Sequence, residues 1–371
     1  MSHLRRIMLL AALGTALIGV SVASACGGLF CQNVPVDQQA ERIIFTVNGD
    51  DTISAYVQIN YTGSAPDFSW VVPVPSVPEV DVAEMESFDE LSNLTAPIYF
   101  PPRMPDCAFE NMPIPAMSAG QEDGGTGDVT VLATGTAGPY AYDVVTSPDP
   151  DALIVWLREN NYRITTEMEP LVQVYNEEAM VFLAMKLQPE QGVQDIQPIV
   201  MTYESQQPMI PIRLTAVAAN PNMTIVTWIF ADTQATPVNY ARPIIRDSDI
   251  RADFLTFDGT NYLSLVDQTV DLYEGRAFIT EYAQPTDDLL SLRPGDPLVQ
   301  RLAEEFGYVT RLFGRMSPEE MTVDPVFKIN ADRRDVSNVH DLTQVKPEVF
   351  WNCEGDPVAV QYDPDVVPAE F

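Results

Sequence analysis

Apolar and polar residues alternate along much of the chain with the two-residue period of β-strands. Residues 41–47 form an apolar-rich run, Asn48-Gly49 is a turn dipeptide, and apolar residues then occupy every second position from Ile53 to Tyr61. An Asn-Gly dipeptide between two such runs is typical of a β-hairpin. The pattern predicts a hairpin whose second strand buries one face.

Further apolar runs predict a succession of strands. The strand at residues 68–74 contains Pro73 and is followed by Pro75. Because proline donates no ladder hydrogen bond, these prolines are expected at a sheet edge or at the end of a strand. Residues 180–185 are apolar throughout, which predicts a strand covered on both faces. The other predicted strands are residues 128–136, 141–146, 171–175, 198–203, 211–218 and 223–230.

Helix-start signals are fewer than strand signals. Asp149 and Asp296 are each followed by proline, which places an acid at the cap position and proline in the first turn. Residues 87–90 and 317–320 have the spacing of a capping box. The whole pattern predicts a β-dominated α+β fold with antiparallel or mixed sheets and about three to four short helices. Two packed sheets are one arrangement that satisfies it.

The first 25 residues have the three parts of a secretory signal. An arginine pair precedes the apolar residues 7–22, and Ala23-Ser24-Ala25 forms a small-residue cleavage site. An uncleaved anchor is the alternative, but this stretch is shorter than the ~20 residues that a span needs. We therefore expect cleavage before Cys26 and export to the periplasm, cell surface or medium, with no membrane span in the mature chain.

The cysteines form an even set, which in an exported chain predicts disulfide bonds. Pairing Cys26 with Cys31 would leave the other two cysteines as a second pair, but spacing alone does not decide among the three possible pairings. A lipid anchor on Cys26 is the alternative use of that residue. The four candidates are Cys26, Cys31, Cys107 and Cys353.

Composition divides the expected mature chain into two parts. Residues 26–331 are predicted to form a β-rich globular region, interrupted at residues 97–127 by a Pro/Gly-rich loop or hinge. Residues 332–371 form a polar, acidic C-terminal tail. Whether residues 26–331 make one domain or two stays open at this stage.

Charge and histidine content exclude several classes of function. The chain has 53 acidic and 20 basic residues and a net charge of -33, a surface that repels nucleic acid. Of its two histidines, His3 lies in the predicted leader, so mechanisms that need two imidazoles are excluded. His340 lies in the polar tail, and no G-x-S-x-G motif is present. We expect His340 to be a solvated tail residue.

Acidic residues leave one metal candidate. Asp247, Asp249 and Asp253 could offer carboxylate oxygens to calcium, although the segment lacks the glycine and distal glutamate of an EF-hand loop. A plain polar loop is the alternative. No other cofactor is predicted.

Several segments carry a resemblance to a known family. The cysteine-bounded opening at residues 26–31 and the Trp-Val-Val-Pro-Val-Pro run at residues 70–75 resemble the DUF2330 family of uncharacterised bacterial exported proteins. Weaker similarity extends the resemblance to about residue 330. It implies an exported protein whose family has no established activity, and it supplies no catalytic residues.

Together these observations predict a non-catalytic cell-envelope module that binds or displays an unidentified envelope or extracellular ligand. The alternative is a hydrolase that uses acidic residues or bound calcium. Paired carboxylates would suffice for glycoside cleavage, but with 53 acids such pairs arise by chance. The sequence does not identify the ligand or the oligomeric state.

Overall fold

The protein is described from a computed structural model, which covers residues 38–59, 68–100, 130–162, 164–217, 219–251, 259–343, 349–351 and 357–359. The strands within these ranges are β1 (Gln38–Val47), β2 (Thr52–Val57), β3 (Ser69–Val74), β4 (Glu79–Val82), β5 (Ile98–Phe100), β6 (Thr130–Ala137), β7 (Tyr140–Thr146), β8 (Val181–Leu187), β9 (Ile199–Glu204), β10 (Ala219–Ala231), β11 (Ala235–Pro237), β12 (Ile279–Pro285), β13 (Tyr308–Met316), β14 (Phe327–Ile329), β15 (Val339–Asp341), β16 (Val349–Trp351) and β17 (Pro357–Ala359). The α-helices are α1 (Glu86–Thr95), α2 (Pro150–Glu159), α3 (Glu169–Glu177), α4 (Ile212–Thr215), α5 (Tyr262–Asp271), α6 (Thr286–Ser291) and α7 (Pro297–Glu305). The fold class is α+β and β-rich, as predicted, with more helices than the three to four expected.

A seven-stranded mixed sheet forms the larger layer, in the order β12-β13-β10-β1-β2-β9-β4. Strands β1 and β10 run parallel, and the other neighbours in the sheet are antiparallel. The predicted hairpin is present as β1 and β2, with Val47 opposite Ile53 and the Asn48 amide bonded to the Thr52 carbonyl at 3.0 Å. This hairpin therefore occupies the interior of the sheet.

A four-stranded antiparallel sheet forms the second layer, in the order β3-β8-β7-β6. Pro73 lies opposite Phe182 in the β3–β8 pair, and β3 is an edge strand of this sheet. The edge position predicted from the prolines is confirmed. An edge strand has a neighbour on one side only, so a proline nitrogen that faces away from that neighbour removes no hydrogen bond.

The two sheets share one hydrophobic core. Its buried residues include Ile43 and Phe45 from the large sheet and Trp70, Leu183 and Met185 from the small one. A second buried cluster joins the opposite face of β8 to the helices after β7 and before β8, through Phe182, Ala184, Leu153, Trp156, Val172 and Tyr175. Strand β8 is thus covered on both faces, as its continuous apolar run predicted.

Local signals placed two helices and one short turn correctly. The Asp149 carboxylate caps α2 by accepting from the Asp151 amide at 3.0 Å. The Asp296 carboxylate caps α7 by accepting from the Leu298 and Val299 amides, both at 2.9 Å. The predicted capping box at residues 317–320 is formed, around a 3-10 turn.

Two predicted strands are helices instead. Residues 171–175 lie in α3 and residues 211–218 contain α4. Val172 and Tyr175 are buried three positions apart, which is helical spacing. A short apolar run does not by itself distinguish a strand from a buried helix, and here the packing against β8 decided it.

The predicted capping box at residues 87–90 is also wrong. Helix α1 begins one residue earlier, at Glu86, and its N-cap Met85 makes no side-chain cap bond. The Glu90 carboxylate instead accepts from the backbone amides of Gly295 and Asp296 at 2.7 and 2.6 Å. It therefore fastens α1 to the start of α7, a contact 205 residues away in sequence.

The expectation that β2 buries one face is corrected as well. Ser54, Tyr56 and Gln58 are buried along with the apolar positions between them. The polar members are satisfied within the protein: Ser54 Oγ lies 2.9 Å from Thr202 Oγ1, and the Gln58 amide oxygen accepts from Arg42 Nε. These hydrogen bonds offset the desolvation of the polar groups on the second face.

Candidate binding pocket at His340

The C-terminal segment brings a histidine back to the body of the protein. Strand β15 runs parallel to β5 with His340 opposite Tyr99, and the two rings stack at 5.3 Å between centroids. The ring of Tyr262, from α5, lies 6.1 Å from the imidazole. His340 Nδ1 is 2.8 Å from the Asp247 carboxylate, and its side chain is 13% exposed. The expectation of a solvated tail histidine is wrong.

The rings of Tyr99, Tyr262 and His340 form an aromatic wall. Tyr262 also contacts a buried ion pair. Arg311 Nε, on β13, donates to Glu281 Oε2 on β12 at 2.6 Å, and the Tyr262 hydroxyl donates to Glu281 Oε1 at 2.9 Å. Burial and the neighbouring Glu281 hold the pKa of Tyr262 well above its usual range. Tyr262 is therefore a neutral donor, and Arg311 balances the Glu281 charge.

These groups border a cavity of about 120 Å³. Its apolar walls are Ile244, Ile245, Ile279 and Val336. Its polar borders are Arg242, Tyr262, Thr280, Glu281, Ser337 and His340. A mostly apolar concavity with a few fixed polar groups is the usual form of a small-molecule site.

Two polar atoms of the lining side chains are buried without a hydrogen-bond partner among the described residues. They are Arg242 Nη1 and Thr280 Oγ1. Arg242 also makes no ion pair within the part of the chain that the structure describes. Burial and the positive charge of Arg333 lower the pKa of Arg242.

Sequence reasoning missed most of this pocket. Tyr262, Glu281 and Arg242 belong to separate segments, and nothing in their local patterns marks them as neighbours. One signal was available: basic residues are few relative to acidic ones in this chain, but a low count does not locate a site.

The predicted calcium residues lie beside the pocket. Asp247 and Asp249 belong to a 3-10 turn, and Asp253 lies outside the described residues. Asp249 accepts from Arg246 Nε at 2.8 Å, a bond that lowers the pKa of Asp249, while Asp247 binds His340. No group of three or more metal-binding side chains occurs within the described ranges. The calcium site stays a prediction.

Other sequence predictions fall largely outside the described residues. All four cysteines do so, as does the predicted signal at residues 1–25. The predicted loop at residues 97–127 contains β5 in its first four residues, and its residues from 101 onward are not described. Of the helices that are described, none combines the length and apolar character needed to cross a bilayer.

A second, smaller cavity of about 30 Å³ lies between the two sheets. Glu41 and Trp70 line it, and Glu41 Oε2 and Trp70 Nε1 have no partner among the described residues. Burial raises the pKa of Glu41 to about 7, although a hydrogen bond with Thr215 opposes the shift. This space is roughly that of one or two water molecules, which makes it a core feature and not a ligand pocket.

Comparison with known proteins supports a family assignment. No curated protein and no solved structure matches the chain. Residues 20–328 match the family described as "Uncharacterized protein conserved in bacteria (DUF2330)". The match spans most of the chain, including both sheets and the cavity lining up to Glu281, and the chain belongs to the DUF2330 family.

Proposed function

We propose that the protein is an exported, non-catalytic binding module of the bacterial cell envelope, and that its ligand occupies the pocket beside His340. Export is supported by the charged, apolar and small-residue parts of residues 1–25. Membership of a bacterial family without a known activity is compatible with it.

The observation that carries the binding role is the way the ionisable groups of the pocket are held. His340 is fixed by Asp247 and two tyrosine rings, and Glu281 by Arg311 and Tyr262. Each of these groups has its own protein partner, so their geometry is set before a ligand arrives. Such preorganisation favours selective binding, since little ordering cost remains.

Export is tested by locating the full-length gene product in a bacterial host and measuring the intact mass of the purified chain. We expect it in the envelope or medium, beginning at Cys26, with the mass of a chain containing two disulfide bonds. An acylated Cys26 would replace the disulfide pairing with a lipid anchor. A full-length chain retained in the cytosol with four reduced thiols would overturn export.

Binding is tested by ligand-detected NMR with a panel of small acids, alcohols, amines and sugars on the exported chain. Ser337→Phe, which fills the pocket, should abolish the signals, whereas Ser291→Phe on the exposed end of α6 should not. Ligands should be recovered unchanged. Conversion of a ligand during incubation would instead favour the hydrolase, and signals unaffected by Ser337→Phe would exclude this pocket.

Calcium enters as a separate proposal for Asp247, Asp249 and Asp253. Calorimetric titration with calcium should show binding that Asp249→Asn weakens. The matched control is Asp287→Asn, an acid in the first turn of α6. No heat at millimolar calcium would remove the site.

A further inference from the structure

Among the described residues, Arg242 combines the absence of an ion pair with a buried guanidinium nitrogen that has no hydrogen-bond partner. The chain has 53 acidic residues for 20 basic ones, so an arginine has many acids available as partners. Seven of the ion pairs within the described residues do join arginine to an acid, including the nearby Arg246–Asp249 pair at 2.8 Å. Arg242 makes none of them. A partly buried guanidinium with no partner among the described residues keeps donors that an anionic ligand could satisfy.

The electrostatic surroundings of Arg242 also favour an anionic ligand. The exposed side chain of Arg333 is close enough to lower the pKa of Arg242, so positive charge is concentrated at this side of the pocket. The lining carboxylate, Glu281, is already paired with Arg311. A negatively charged group in the pocket would therefore meet a guanidinium that no acid pairs with in the part of the chain that the structure describes.

The remaining lining limits what that ligand can be. Thr280 contributes a second buried polar atom without a partner among the described residues. The walls next to these two polar groups are aliphatic: Ile244, Ile245, Ile279 and Val336. An anionic head and an apolar body would thus both find complementary surfaces.

The volume of the cavity and the net charge of the chain further restrict the class of ligand. The cavity of about 120 Å³ is somewhat smaller than the ~150 Å³ apolar cavity that accepts benzene. A net charge of -33 on the whole chain opposes dianions at long range more strongly than monoanions. A guanidinium also matches the two oxygens of a carboxylate.

Resting on the binding role proposed above, we infer that the pocket takes a small monocarboxylate with a short branched aliphatic body. The Arg242 guanidinium binds the carboxylate, the Thr280 hydroxyl adds a hydrogen bond, and the side chains of Ile245, Ile279 and Val336 contact the hydrocarbon part.

The test is calorimetric titration of the exported chain at pH 7 with 3-methylbutanoate, with its neutral analogue 3-methylbutanol, and with inorganic phosphate. We expect the acid to bind at least about tenfold more tightly than the alcohol or phosphate, as one charge-assisted contact implies. Arg242→Gln should weaken acid binding about 10- to 100-fold and leave alcohol binding nearly unchanged.

Two variants control for folding and for general charge effects. Arg246→Gln removes a cation four residues away that is paired with Asp249, and it should leave acid binding unchanged. Thr280→Val preserves shape and should weaken acid binding by a smaller factor than Arg242→Gln. Circular dichroism checks that each variant is folded.

The outcomes separate this inference from the binding role. Equal binding of acid and alcohol, or acid binding that survives Arg242→Gln, overturns the carboxylate assignment while the pocket remains a binding site. Binding of phosphate alone overturns it as well. A folded chain that binds no member of the wider NMR panel overturns the binding role together with this inference.

Discussion

Two arginines of this protein lie in opposite circumstances. Arg213, at α4, donates to both oxygens of Glu178 at 2.9 and 2.6 Å and to Asp324 Oδ2 at 2.8 and 2.5 Å. Its guanidinium lies 4.3 Å over the ring of Tyr175, whose hydroxyl also donates to Asp324. Arg242 has neither an ion pair nor a partner for Nη1 among the described residues.

The difference indicates that the Arg213 charge stabilises the fold, whereas the Arg242 charge is available to a ligand. The cluster of Arg213, Asp324, Glu178 and Tyr175 joins α3 and α4 to the segment before β14, and its members satisfy one another. The pocket at Arg242 has aliphatic walls and a guanidinium with no acidic partner among the described residues. The Arg213 cluster therefore joins elements of the fold, whereas Arg242 keeps donors that an anionic ligand could use.

The largest effect is expected from breaking the saturated cluster. Asp324→Ala leaves the Arg213 guanidinium without its buried partner and should lower the free energy of unfolding by about 3–5 kcal/mol, measured by urea denaturation. Glu178→Gln, at the exposed end of the same arginine, should cost less than about 1 kcal/mol. Equal losses would show that the buried contact has no special weight.

The pH dependence of stability provides a second test, at Glu41, a buried acid that has no ion pair among the described residues. The pKa of Glu41 is about 7 in the folded protein and 4.5 ordinarily, so its contribution is fully present below pH 4.5 and declines as pH rises to 7. The free energy of unfolding should fall by about 3 kcal/mol over this pH range and stay constant above it. Subtracting the unfolding free energies of Glu41→Gln from those of the wild type between pH 4.5 and 8 isolates this slope. Parallel curves would contradict it.

The docked histidine should have an intermediate effect. His340→Ala removes the contacts with Tyr99 and Tyr262 and the Asp247 bond, and should cost about 1–2 kcal/mol in thermal unfolding. His340→Phe keeps a ring in the aromatic wall and should recover part of that loss. If alanine and phenylalanine behave alike and neither destabilises, the segment is not held through this ring.

The smallest effect on stability is expected at Arg242 itself. Arg242→Gln removes a cation that contributes no ion pair within the described residues, so the free energy of unfolding should change by less than about 1 kcal/mol. The comparison breaks if urea denaturation shows a loss as large as that of Asp324→Ala, because Arg242 would then have a structural partner.

Short-range signals predicted the elements whose cause is local. The Asp149 and Asp296 caps act on amides two or three residues away, and both helices begin where expected. The same local reasoning failed at residues 171–175 and at Glu90. In each case a distant element decided the outcome: the face of β8 for the first, and the amides at the start of α7 for the second.

The candidate site was almost entirely beyond local reasoning. His340 meets Asp247 across 93 residues, and Glu281 meets Arg311 across 30. The sequence contained each residue type but not the distances among them. Asp247 was chosen from its spacing to other acids, whereas its partner in the structure is an imidazole.

From its sequence alone, this protein is determined to be β-dominated, strongly acidic and short of histidine, because residue period, charge and composition need no contact to be counted. Tertiary structure alone decided that His340 is largely enclosed, that Arg213 is bonded to two acids and that Arg242 has no acidic partner among the described residues. Those properties depend on which side chains come into contact when the two sheets pack. Apolar burial and strand pairing determine those contacts, and they join residues that are far apart in the chain.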